Sequence, residues 1–171
     1  MEGKPFKEIK ILRAQKKDLK EIAKIAAENF SGLKDINRSS KWVACNFSAF
    51  PRMQYFVAAT QRVPRKEIAG YILWIEKGGF RKESVWELEQ IAVSKLFQSQ
   101  GIGSQLIEKS LLEIKNYLQE RGSSLKAIEV STGTHNQAQN LYKKILGAKA
   151  ECVIKDLYRD DEAIMIARFK S

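Results

Sequence analysis

The stretch between residues 85 and 130 constrains the fold more than any other part of the chain. Residues 85–93 and 125–130 are rich in β-branched and apolar side chains, which is typical of strands. Between them, four apolar residues recur at the spacing of one helix face: Ile107, Leu111, Ile114 and Leu118. A strand, a helix and a strand in this order predict two parallel strands joined by a right-handed crossover.

Further strands and helices are predicted on either side of this unit. Strands are expected over residues 6–12, 55–60, 68–75, 152–156 and 163–169, and helices over residues 19–30, 40–49 and 137–145. Asp18 is expected to cap the first helix, and Gly122 to end the helix of the crossover. Turn-forming residues at 62–66 and 76–84 indicate an antiparallel meander in the middle of the chain.

The order β α α β β β α β α β β predicts an α/β fold. We expect a central mixed, mostly antiparallel sheet with helices on both faces. The length of 171 residues is enough for one domain with its own core, so a single domain over residues 1–171 is predicted.

Composition and charge limit the class of protein. Cys45 and Cys152 lie far apart, and with His135 as the lone histidine they form neither a disulfide framework nor a metal site. The charged N-terminal segment contains no signal peptide or membrane span, so a cytoplasmic protein is expected. The formal charge of +10 raises nucleic acid as a partner, but the basic residues are scattered in runs of at most two. We therefore expect no specific nucleic-acid partner and no membrane partner.

A small, polar turn separates the strand that ends at Val93 from the following helix. Gly101 and Gly103 lie where unpaired helix N–H groups begin, which is a favourable place for an anion such as a phosphate. The spacing excludes the dinucleotide fingerprint, because the third glycine position is Leu106, and it also excludes the Gly-Lys-Ser/Thr loop. A tight turn without a ligand remains the alternative.

The same residues resemble the GNAT superfamily of acetyl-CoA-dependent N-acetyltransferases. The central motif of that family is an apolar strand ending in Val, four residues, and Gln/Arg-x-x-Gly-x-Gly/Ala, and here it is IAVSKLFQSQGIG over residues 91–103. A second family block places Ala138 four residues before Tyr142, with Gly147 shortly after it. The segments GYILW, ELEQIAV and LYRDDEAIMI look most like the ribosomal-protein N-terminal acetyltransferase branch.

The resemblance implies acetyl-CoA as cofactor. Its pyrophosphate would be held by the turn that comprises Gln98, Ser99, Gln100, Gly101, Ile102, Gly103 and Ser104. Its pantetheine arm would bond to the backbone of Ile91, Ala92 and Val93. The family usually has Asn at the position of His135; here the adjacent Asn136 is the candidate.

Acyl transfer to an amine needs a base, an oxyanion site and an acid. Glu87 and Glu89 are the candidate bases, and because they share the parity of Ile91 they are expected on one face with it. The resemblance implies a backbone N–H as the oxyanion donor and Tyr142 as the acid. Ordinary solvent-facing glutamates and a packing tyrosine are the alternatives. Direct transfer in a ternary complex is preferred to transfer through an acetylated Cys45 or Cys152.

The acceptor is expected to be a primary amine of a small molecule, peptide or protein. Acidic residues are expected to border its site: Glu83, Glu87, Glu89, Asp160, Asp161 and Glu162. The competing classes are a non-catalytic acyl-CoA-binding regulator and a basic nucleic-acid-binding module. A monomer or a homodimer is compatible with the sequence.

Overall fold

A computed structural model describes residues 8–61 and 67–170 of the chain. The described elements run in the order β1 (Ile9–Arg13), α1 (Leu19–Asn29), α2 (Ile36–Ser48), β2 (Met53–Thr60), β3 (Ile68–Lys77), β4 (Glu83–Val93), α3 (Ile102–Glu120), β5 (Ser124–Gly133), α4 (Ala138–Leu146), β6 (Lys149–Ile154) and β7 (Glu162–Arg168). This is the predicted order. The start predicted for the first strand and the turn predicted at 62–66 lie outside the described residues.

The seven strands form one mixed sheet in the order β1-β2-β3-β4-β5-β7-β6. Among the strands of the described residues, β4 and β5 alone pair in parallel, and the other neighbours pair antiparallel. The parallel pair is the one that the strand-helix-strand pattern predicts. The α/β fold with a mostly antiparallel sheet is therefore confirmed.

Helices cover both faces of this sheet, as expected. On one face α3 and α4 pack on a cluster that contains Trp74 and Trp86, and the Trp74 indole N–H donates to Ser110 Oγ of α3 at 2.8 Å. On the other face α1 and α2 pack on Tyr55 and Tyr71. We call these the α3 face and the α1 face.

Two helix starts differ from the sequence predictions. Asp18 does not cap α1, because its Oδ2 accepts from the backbone N–H of Gln15 at 2.9 Å in the turn that precedes the helix. The second helix begins at Ile36, four residues before the predicted start, because Asp35 Oδ1 accepts from the N–H of Arg38 at 2.7 Å and caps it there. By contrast, Gly122 follows the end of α3 with a φ of +72°, as predicted.

A β-bulge in β4 changes which face its side chains occupy. Leu73 pairs with Gln90 and Trp74 pairs with Leu88, so Glu89 is the extra residue on β4. Before the bulge Leu88 belongs to the α3 face, whereas after it the odd-numbered Ile91 and Val93 pack there. The expectation that Glu87 shares a face with Ile91 is wrong, because one inserted residue reverses a period of two.

The strands β4 and β5 separate beyond this point. Their pairing ends at Glu87 and Glu129, although β4 continues to Val93 and β5 to Gly133. Each strand keeps the antiparallel partner on its other side, β3 for β4 and β7 for β5. An opening in the sheet results, and the β4 edge that faces it has no strand partner within the described chain.

Candidate active site

The turn before α3 leaves the first amides of the helix without a side-chain cap. Gly101, the residue before the helix, has a φ of +73°, a conformation that favours glycine over any residue with a Cβ. Gly103 is constrained by packing, because a Cβ there would lie 3.3 Å from Leu141 Cδ2 of α4. The opening N–H groups of a helix point along its axis, so this turn can hold an anion such as a phosphate. We call residues 98–104 the anion turn.

The end of β4 lies beside this turn. Ile91, Ala92 and Val93 pair with β3 on one edge, and their other edge borders the opening towards β5. The side-chain Nε2 of Gln98 donates to the carbonyl oxygen of Val93 at 3.1 Å and so connects the turn to the strand. The strand end at residues 91–93 and the turn at residues 98–104 are therefore adjacent, and the open backbone groups fit an extended arm ending in a phosphate.

A cluster of carboxylates lies on the α1 face at the start of the opening. Glu87 Oε2 accepts from Lys77 Nζ at 2.7 Å, and Glu87 lies beside Glu129 in the parallel pair. Burial raises the pKa of the Glu89 carboxyl above its usual value, and the negative charge of Glu87 adds to this increase. The structure thus brings both predicted bases together.

Lys77 and Glu129 are site residues that the sequence interpretation missed. The hydrogen bond to Glu87 raises the pKa of Lys77, and the charges of Glu129 and Glu89 contribute in the same direction. Glu129 lies between the buried residues Ile128 and Val130 of β5, an alternation that could have indicated its position. The register that sets Glu129 opposite Glu87 could not have been read from that alternation, because register is decided by contacts between distant segments.

Two buried tyrosines, Tyr55 and Tyr71, lie near Glu89 on the α1 face. The hydroxyl of Tyr71 donates to Gln90 Oε1 at 2.9 Å, and the amide of Asn46 donates to the hydroxyl of Tyr55 at 3.3 Å. Burial raises the pKa of Tyr55 and of Tyr71, and the charge of Glu89 raises both further. Both phenols therefore stay neutral near pH 7 and act as hydrogen-bonding groups.

Tyr142 lies on the α3 face, on the opposite side of the sheet from the carboxylate cluster. It lies on α4 within the cluster of the α3 face, and it is only 5% exposed. Burial raises the pKa of Tyr142 to about 12, and its hydroxyl makes no hydrogen bond to any residue of the described chain. A phenol in this state keeps its proton at physiological pH, which an acid requires.

Three other residues named in the sequence analysis, Asn136, Glu83 and Glu162, lie outside the carboxylate cluster. Asn136 is exposed, and its Oδ1 accepts from the N–H of Ala138 at 2.9 Å in the turn that opens α4. Glu83 pairs with Ser124 at the closed end of the β4–β5 pair, so the structure does not bring it to the carboxylate cluster. Glu162 Oε2 accepts from Ser131 Oγ at 3.4 Å at the far end of β5.

A cavity of about 600 Å³ opens on the α1 face between α2 and β4. Its lining residues come mostly from α2 and the segment before it: Phe30, Gly32, Leu33, Arg38, Lys41, Trp42, Cys45 and Gln90.

Within the described ranges, no three His, Cys, Asp or Glu side chains are grouped so as to hold a metal ion. None of the described helices is both long and apolar enough to cross a membrane.

Comparison with solved structures finds the same fold in three informative proteins. NAA60 of Arabidopsis thaliana in complex with a bisubstrate analogue is 12% identical with a TM-score of 0.75, and the alignment covers 95% of this chain and 100% of that one. A chain of the NatC complex bound to Gag peptide and CoA is 17% identical with a TM-score of 0.71, covering 95% and 99%. Spermidine/spermine N-acetyltransferase SpeG of Vibrio cholerae is 16% identical with a TM-score of 0.68, covering 93% and 91%.

Sequence comparison gives the family. No curated protein sequence matches significantly. A family profile does match: that of the acetyltransferase (GNAT) family aligns with residues 19–148, about three quarters of the chain. That match includes the open end of β4, the anion turn, the carboxylate cluster and Tyr142. The chain therefore belongs to the acetyltransferase (GNAT) family.

Proposed function

We propose that this protein binds acetyl-CoA in the opening between β4 and β5 and transfers the acetyl group directly to a primary amine in a ternary complex. The observation that carries the proposal is the separation of β4 from β5 after Glu87 and Glu129. It leaves an open backbone edge between the anion turn and the carboxylate cluster. A thioester in this opening would be accessible from both faces of the sheet.

The cofactor residues are proposed as the sequence predicts them. The backbone of residues 98–104 would hold the pyrophosphate, and the edge of residues 91–93 would bond the pantetheine arm. Acetyl-CoA supplies the acetyl group as a thioester and leaves as the thiol. Asn136 would contact the cofactor through its amide nitrogen, because its Oδ1 accepts from the N–H of Ala138.

Glu89 is the preferred base. An alkylammonium has a pKa of about 10 and must lose a proton before its nitrogen can attack. Burial and the charge of Glu87 make Glu89 a stronger proton acceptor than an exposed carboxylate, whereas Glu87 is already held by Lys77. Glu89 would accept the proton directly or through one water molecule.

Tyr142 is the proposed acid, and the β4 backbone the proposed oxyanion site. The phenol would donate its proton to the sulfur as the C–S bond breaks, from the face opposite Glu89. A backbone N–H on the open edge near the bulge would stabilise the charge that develops on the carbonyl oxygen. Bulges leave backbone groups outside the ladder, which suits this task.

A primary amine acceptor is supported by the negative charge around Glu89 and by the relatives. SpeG is named for acting on spermidine and spermine, and the NatC structure contains a peptide. The resemblance to the N-terminal acetyltransferase branch favours a peptide N-terminus among these. We propose a monomer or a homodimer without a nucleic-acid partner.

Free-thiol release from acetyl-CoA with a panel of amines tests the proposal. The panel contains peptide N-termini, lysine peptides, polyamines and aminoglycosides. Amine-dependent release, with no acetylated protein in intact-mass spectra before the amine is added, is expected for direct transfer. Cys45→Ala and Cys152→Ala should retain activity. Tight CoA binding without turnover on any amine would instead support the regulator alternative, and salt-sensitive nucleic-acid binding the other one.

A further inference from the structure

The cavity beside α2 is larger than an amino group alone requires. Its volume of about 600 Å³ is typical of sites that enclose most of a ligand. Gln90 forms part of its wall and is the neighbour of Glu89 on β4. Cys45 also lines it, and the next residue, Asn46, donates to the hydroxyl of Tyr55 at 3.3 Å. The ring of Tyr55 lies 5.8 Å from that of Tyr71, the residue that bonds Gln90. One end of the cavity therefore lies close to the proposed base.

One face of α2 supplies half of the lining. Arg38, Lys41, Trp42 and Cys45 follow the i, i+3, i+4, i+7 spacing that places side chains in a single stripe. With a rise of about 1.5 Å per residue, Lys41 lies about 6 Å and Arg38 about 10 Å along the helix axis from Cys45. The stripe therefore extends from the Glu89 end of the cavity to its outer end.

Part of the cavity wall is apolar. Phe30 and Leu33 come from the segment between α1 and α2, and Trp42 comes from α2. Trp42 is 41% exposed, a large fraction for an aromatic residue. Exposed aromatic surface inside a concavity is typical of a binding site for an apolar group.

The charged residues in and beside the cavity are arranged by sign. Glu89 is the neighbour of the wall residue Gln90 on β4 and lies close to Glu87, whereas the only charged lining residues within the described ranges are Arg38 and Lys41 of α2. Neither cation has a carboxylate partner among the residues that the structure describes, in contrast to Lys77. A ligand that matches this arrangement carries an amine at one end and an anionic group at the other.

We infer that the acceptor is a peptide N-terminus with a large apolar first side chain and an acidic residue at the second or third position. This inference rests on the proposed function. An extended peptide advances about 3.3 Å per residue, so two or three residues span the 6–10 Å that separate Cys45 from the two cations. A polyamine fits poorly, because its second ammonium would lie against Arg38 and Lys41.

Matched peptides test the charge preference. Two peptides share an apolar first residue and differ only in carrying Glu or Lys at positions two and three. Two solvent-accessible ion pairs predict a kcat/KM about fivefold to tenfold higher for the Glu peptide. The double variant Arg38→Glu/Lys41→Glu should reverse the preference. Lys20→Glu, an exposed change on α1 outside the cavity, should leave it unaltered.

The apolar part has a separate test. Replacing the first residue by Gly should raise KM with little change in kcat, and Trp42→Ala should reduce that difference between peptides. Equal activity on Glu and Lys peptides, or faster turnover of polyamines, would overturn the inference while leaving the proposed function intact. No amine-dependent thiol release from any acceptor, with the protein folded, would overturn both.

Discussion

Replacing Tyr142 by Phe separates a chemical role from a packing role. The change keeps the ring and removes only a hydroxyl that bonds to no residue of the described chain. We therefore expect Tm to shift by no more than about 2 °C, since substitutions that break no contact stay within about 0.5 kcal/mol. Acetyl-CoA affinity should also be nearly unchanged, because the proton is needed only as the C–S bond breaks.

The rate should change far more than the stability. With a pKa of about 12, Tyr142 is almost completely protonated at pH 8, so the wild-type enzyme loses no acid to ionisation there. Removal of a general acid typically costs about 100-fold to 10,000-fold in rate, or about 3–5 kcal/mol in activation free energy. Single-turnover kinetics with saturating acetyl-CoA measure the chemical step, and calorimetry measures the affinity.

Tyr117 offers a matched control for this experiment. Its hydroxyl accepts from Arg121 Nη1 at 3.1 Å near the far end of α3. Tyr117→Phe should therefore lower the free energy of unfolding by about 1 kcal/mol and leave kcat unchanged, the opposite pattern. If Tyr142→Phe retains the wild-type single-turnover rate, the acid assignment is wrong and Tyr142 only packs against the sheet.

Three further predictions concern the base, the cofactor turn and the fold. Glu87→Gln removes a charge that raises the pKa of Glu89, so the acidic limb of the kcat/KM profile should move to lower pH; a complete loss of activity would make Glu87 the base instead. Gly103→Val should raise the dissociation constant of CoA at least about tenfold by calorimetry while the circular dichroism spectrum is retained. Unchanged affinity would contradict the proposal that the anion turn holds the pyrophosphate. Arg121→Ala leaves a 1% exposed carboxylate without its paired cation and should lower the free energy of unfolding by about 3–5 kcal/mol in urea titrations. The exposed Arg168→Ala should cost at most about 1 kcal/mol, and equal costs would refute the argument from burial.

The β-bulge at Glu89 is the feature on which the site depends. Without the extra residue, Glu87 would lie on the face of Ile91, as the alternation of β4 predicts. With it, the carboxylates lie on the α1 face, beside the cavity, and the β4 edge beyond them is open. The bulge thus places the proposed base and the acceptor cavity on one side of the sheet.

The amino-acid sequence determined the local features of this protein. Helical and strand periodicities depend on neighbouring residues, so the order of elements, the parallel pair and the end of α3 at Gly122 could all be predicted. The motif over residues 91–103 indicated the family for the same reason, because its spacing is local. The assignments of Tyr142, Glu89 and the cofactor residues remain predictions.

Only the tertiary structure decided which distant residues meet. A strand alternates in the same way whichever partner it has, so the sequence could not indicate that β4 pairs with β3 through a bulge at Glu89. It could not indicate that Lys77 and Glu129 meet at Glu87, because those contacts depend on the register of β4 with β3 and with β5. The cavity beside α2 is likewise a product of packing, since Gln90 of β4 meets the lining residues between positions 30 and 45 only in the folded chain.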